Sequence, residues 1–138
     1  MTSIITLFLI LFGISFIVTP NNAKYTLSGY NTASKEDQAK YDINKLVPFI
    51  NRGIRIVAIT TLITSSIAYY FENKTIIAFC LSMIPMIGIL ATVIFGSRKY
   101  VQKKASTSNY LAYILILFTI LLSLYLFIYH PDKINLDI

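Results

Sequence analysis

Tryptophan is absent from this chain, histidine and cysteine occur once each, and only 13% of its 138 residues are charged. Each shortage closes a class of function. A lone Cys80 can form no intrachain disulfide and no redox pair. With His130 as the single histidine, no pair of histidine, cysteine or carboxylate residues has metal-ligand spacing. Side-chain catalysis needs at least two convergent reactive groups. Cys80 has no histidine or acid within its own run, and the many serines and threonines lack a general base. No glycine-rich phosphate loop is present. The expectation is a protein that is not an enzyme and that holds no metal and no cofactor.

What the chain has in excess is apolar surface. Hydrophobic residues make up 56% of it, against roughly 45–50% in a soluble domain. They gather in four runs, Ile4 to Val18, Ile54 to Phe71, Ile76 to Phe95 and Tyr110 to Tyr129. A bilayer core of ~30 Å takes about 20 helical residues to cross. Extended into their flanks, the runs predict an all-α membrane protein with transmembrane helices at about 2–19, 53–71, 75–95 and 110–129. No Lys or Arg precedes the first run and basic residues follow it, so an uncleaved anchor is expected rather than a signal peptide. Arg55, at the mouth of the second run, is the one charge within any of them. The runs hold no carboxylate to couple protons to a substrate, which argues against a proton-driven exporter.

Basic residues outnumber acidic ones by 12 to 6, and their positions matter more than their number. The first connection carries Lys24, Lys35, Lys40, Lys45 and Arg52, and the third carries Arg98, Lys99, Lys103 and Lys104. The second carries Lys74 alone. Positively charged connections stay in the cytoplasm, which predicts a multi-pass membrane protein with both termini outside the cytoplasm. Cations placed between apolar spans meet anionic phospholipids and not nucleic acid. Lys40, Lys45, Arg52, Arg55, Arg98, Lys99, Lys103 and Lys104 are the candidates for headgroup contact.

The first connection is the most distinctive segment. Ser34 followed by Asp37 has the form of a capping box and predicts a helix over about 35–47. On it Ala39, Ile43, Leu46, Val47 and Ile50 share one arc. That is the pattern of a short amphipathic helix lying in the headgroup region, with Pro48 as the joint to the next span. Gly29 and Asn31 suit a turn that presents Tyr30, while Tyr41 points away from the apolar arc. Gly29, Tyr30, Asn31 and Tyr41 are therefore the candidates for binding a partner.

The stretch Gly29-Tyr30-Asn31-Thr32-x-Ser34-Lys35-Glu36, with Lys40-Tyr41-Asp42 after it, resembles the signature loop of an uncharacterised family of small bacterial polytopic membrane proteins. The resemblance implies a first membrane helix, this loop and further helices. More distantly, the loop is similar to the Gly-Tyr-Arg-Thr-Pro loop of the SdpI-like immunity family, with Asn31 in place of the arginine and Ala33 in place of the proline.

Small residues recur every fourth position within the spans. Thr60, Thr64 and Ala68 share a face of the second helix, and Gly88, Thr92 and Gly96 share one of the third. Such faces let helix backbones approach closely, which predicts a packed antiparallel hairpin, with Ala78 lying off the contact. Pro85 is expected to kink the third helix. The reading that follows is a non-enzymatic accessory subunit of a larger inner-membrane complex whose partners are other membrane proteins. An immunity or regulatory protein that binds a toxin or signalling partner is the alternative, and a small transporter or channel component is the third.

Overall fold

Among the described residues, three short polar side chains open helices by accepting a backbone N–H that the helix itself cannot satisfy. Ser34 Oγ accepts from the Asp37 amide at 3.2 Å, Asp42 Oδ1 from Lys45 at 3.3 Å and Asn73 Oδ1 from Ile76 at 3.0 Å. In the computed structural model, which describes residues 1–27, 30–102 and 107–129, the elements are α1 (Thr2–Ile17), α2 (Ala23–Thr26), α3 (Lys35–Gln38), α4 (Ile43–Tyr70), α5 (Lys74–Tyr100) and α6 (Thr107–Tyr129). Among the described residues there is no strand, and a single isolated bridge pairs Tyr41 with Val101.

α4 is the centre of the fold, with α1 and α5 packed antiparallel to it. Ile4, Ala68 and Ile77 form a buried cluster that joins α1, α4 and α5 near the α4–α5 turn. Toward the other end of α4, Gly88 lies against Val57, Gly53 against Thr92 and Gly96 against Leu46 and Phe49. α6 touches the rest chiefly through α5, where the Phe79 and Phe127 rings meet edge-on at 5.4 Å. The α4–α5 turn is tight, and Glu72 within it takes a left-handed conformation with φ 53°.

α4 and α5 are long and apolar enough to cross a membrane, whereas Thr2–Ile17 and the apolar stretch Leu117–Tyr129 are shorter. Large apolar side chains stand exposed on α1, α4, α5 and α6, among them Leu9, Ile17, Ile63, Phe95 and Phe118. Hydroxyls on these helices turn back onto their own backbone, as Thr64 does to Thr60 O at 2.8 Å and Thr92 to Gly88 O at 2.8 Å.

Three expectations are corrected. The helix foreseen over 35–47 is two elements: α3 closes at Gln38, and α4 begins at Ile43 and runs through Pro48. Of the residues in its supposed membrane-facing arc, Ala39 is exposed and Ile43 and Ile50 are half-buried. Leu46 and Val47 are buried inside the helix packing, Leu46 against Gly96. The packing face of α4 is also rotated from the one expected. Thr60 is exposed and Thr64 half-buried, while Ala58, Thr61, Ser65 and Ala68 are buried, because α4 is covered on two sides rather than one. Ala78, expected to lie off the contact, is buried too.

Candidate functional site

The connection between α1 and α4 is a folded structure, not a slack loop. Leu27 O accepts from both Tyr30 N and Asn31 N, and Tyr30 O accepts from Ala33 N. The Gln38 side chain then donates Nε2 to Tyr30 O at 3.1 Å and to Ala33 O at 3.2 Å, fastening the turn to α3. Next the chain clips onto the end of α5: Asp42 N donates to Tyr100 O at 2.9 Å, and Gln102 N donates to Lys40 O at 2.9 Å. The Tyr30 and Tyr41 rings meet edge to face at 5.3 Å, and the Phe49 and Tyr100 rings do so at 5.5 Å just beyond the clip.

Two of the expected partner-binding residues are thus brought together, Tyr30 on Tyr41, and both are half-buried by the contact. Asn31 is exposed beside them. Gly29 lies outside the described residues.

The basic residues divide by environment. Lys40 pairs with Asp37 at 2.7 Å and Lys45 with Asp42 at 3.1 Å, both at the surface. Lys99 lies over the Tyr100 ring at 5.4 Å. Arg52 and Arg98 are exposed, and Lys103 and Lys104 lie outside the described residues. Arg55 differs from all of them. Its Nε donates to the buried Ser15 Oγ at 3.2 Å and its guanidinium stacks over the Phe16 ring at 4.4 Å. One turn away, Asn51 Nδ2 donates to Val18 O at 2.8 Å. These polar groups close the C-terminal end of α1, where backbone carbonyls have no helical partner and a cation is favoured. Arg55 therefore belongs to the α1–α4 contact.

Ala39, Lys40, Tyr41, Asp42 and Lys45 on one side, with Lys99, Tyr100 and Gln102 on the other, line a cavity of about 300 Å³ at the clip. A second cavity, of about 740 Å³, lies at the opposite end of the helices beside Ser66, Tyr69, Tyr70, Glu72, Lys74 and Ile77. Among the described residues no three His, Cys, Asp or Glu side chains come together as a metal would require. The clip and its cavity were missed in the sequence. The residues concerned are far apart in the chain and carry no motif, and the third helix was expected to end near 95, short of Lys99 and Tyr100.

The architecture is that of an all-helical protein with two helices of membrane-spanning length and a folded connection clipped to one end of them. Residues 5–101 match the family described as a domain of unknown function, DUF3784. The chain belongs to that family, which is uncharacterised as expected, and the matched part takes in α1 through α5 and leaves α6 outside. No curated protein and no solved structure matches the chain.

Proposed function

We propose that this chain is a non-enzymatic accessory subunit of a bacterial inner-membrane assembly, docking on its partner through the folded connection between α1 and α4. The membrane placement is supported by the exposed apolar faces of four helices, since soluble monomers rarely expose contiguous apolar patches beyond a few hundred Å². In this reading α1 and α6 complete four crossings with α4 and α5, and the end rich in Lys and Arg faces the cytoplasm. The observation that carries the docking role is the clip between Lys40 and Gln102. It holds the Tyr30–Tyr41 pair and the exposed Asn31 in a fixed arrangement at the basic end, and a preordered surface binds at lower entropic cost than a slack loop.

The test is affinity purification from native membranes in mild detergent, followed by mass spectrometry. A subunit brings stoichiometric membrane-protein partners with it. The alternative, an immunity or regulatory protein, is favoured by the Gly-Tyr-x-Thr form of the loop at Gly29 to Thr32. It predicts a chain that purifies alone until its toxin or signalling partner is supplied.

A further inference from the structure

The cavity at the clip has an unusual wall for its place in the fold. Lys40 and Lys45 line it from the start of α4 and the residues just before, and Lys99 from the end of α5, with the Tyr41–Val101 bridge joining the two sides. Asp42 is the one carboxylate in its lining. The Lys45–Asp42 pair is solvent-exposed and the Lys40–Asp37 pair lies at the surface with Asp37 half-buried; surface pairs hold their lysines only weakly, so the ammonium groups can turn to an incoming anion. Lys99 lies over the Tyr100 ring.

Depth identifies the anion. At 1.5 Å per residue α4, with 28 residues, is about 42 Å long. A hydrocarbon core takes up ~30 Å of that. If the Tyr69–Tyr70 end sits at one interface, the first two turns of α4 project beyond the core at the other. The cavity stands beside those turns, at the level where phospholipid phosphates lie. We infer that it is a binding site for the phosphate group of an anionic phospholipid, held by Lys40, Lys45 and Lys99. Bound there, one headgroup bridges the connection and the end of α5, and so reinforces the clip that fixes Tyr30 and Tyr41. The inference rests on the membrane placement proposed above.

The experiment uses the full chain, purified in mild detergent, with thermal melting followed as phosphatidylglycerol, phosphatidylcholine or inorganic phosphate is added. Alkaline washing of the source membranes is done on the same preparation. Phosphatidylglycerol should raise the midpoint saturably and phosphatidylcholine should not. Lys99→Gln should weaken the phosphatidylglycerol response about fivefold, and Lys45→Gln with Lys99→Gln about 25-fold. Lys99→Arg should restore most of it, and Lys35→Gln, an equal loss of charge outside the cavity, should leave it unchanged. A Lys35→Gln effect as large as that of Lys99→Gln makes the attraction diffuse and overturns the site. Saturation by inorganic phosphate at similar concentration assigns the cavity to a free anion and overturns the lipid. Release of the protein by the alkaline wash overturns the membrane placement itself, whereas firm retention without lipid preference overturns the site alone.

Discussion

Asn51 on α4 reaches the last turn of α1, where its Nδ2 donates to the Val18 carbonyl at 2.8 Å. Val18 is the residue that ends α1, and its backbone is already extended there, with φ −82° and ψ 121°. The carbonyl has no helical donor of its own, so the amide of a neighbouring helix stands in for one. Asn51 is 8% exposed, and its Oδ1 has no protein partner. The bond is thus one-sided: a buried donor is satisfied, and its twin acceptor is not.

Asn51→Ala should lower stability by roughly 1–2 kcal/mol, since the Val18 carbonyl is then left without its donor. Asn51→Asp should cost more, because it removes the donor and sets a carboxylate near a carbonyl and the negative end of α1. Thermal melts of the two variants in detergent decide the matter. An Asn51→Asp protein as stable as the parent contradicts the contact.

Arg55 and Phe16 should be energetically coupled. Lysine in place of Arg55 keeps the charge but loses the planar group that both stacks on the ring and donates Nε to Ser15. A double-mutant cycle of Arg55→Lys with Phe16→Leu is expected to give a coupling of about 0.5–1 kcal/mol. Strict additivity would mean that the guanidinium interacts with its surroundings and not with the ring.

The helix interface gives a third prediction. A side chain at Gly88 would overlap Val57, whereas Gly13 has open space around its Cα. Gly88→Leu should therefore destabilise the α4–α5 contact by about 1–3 kcal/mol, and Gly13→Leu should be near neutral. Equal melting temperatures for the two would place Gly88 outside the contact.

Much of this fold was legible in the sequence, and the failures share a cause. The apolar runs announced helices at four places because hydrophobic length is a local property, and two of these, α4 and α5, are long and apolar enough to cross a membrane. The small residues at Gly88, Thr92 and Gly96 could be assigned to one face because 3.6-residue periodicity is local too. The start of α4 was misjudged at Pro48, which reads as a boundary. The helix actually starts at Ile43, capped by the Asp42 side chain, and Leu46 and Phe49 against Gly96 anchor its first turns. The face of α4 was misjudged because Thr60, Thr64 and Ala68 compete with Ala58, Thr61, Ser65 and Ala68 as small-residue stripes. Only the presence of α1 on a second side selects the latter. The clip from Lys40 to Gln102 was invisible for the same reason: a backbone pairing across the length of two helices leaves no trace in residue types.

Glu72 is held at φ 53° in the α4–α5 turn, a conformation that costs a residue with a Cβ roughly 1–2 kcal/mol. Glu72→Gly relieves that cost while adding freedom to the unfolded chain, and the net effect should be a gain of about 0.5–1 kcal/mol. A higher melting midpoint checks it. A lower one would show that the carboxylate makes a contribution outweighing the backbone strain.

The last prediction separates docking from architecture in the connection between α1 and α4. Tyr30 and Tyr41 meet edge to face, and Tyr41 also takes part in the bridge to Val101. Either tyrosine changed to alanine should then loosen the clip, and the double variant should be little worse than the single ones, because both remove the same contact. Loss of partner in these variants alone cannot distinguish a lost contact from a slackened loop. Asn31 can: it is exposed, so Asn31→Ala leaves the ring pair and the Gln38 bonds in place. If the connection docks a partner, Asn31→Ala should cut partner recovery several-fold with melting temperature and protein level unchanged. Tyr30→Ala should cut recovery and lower the melting temperature together. Recovery at full yield from both Asn31→Ala and the Tyr30→Ala, Tyr41→Ala double variant would remove the docking role from this surface.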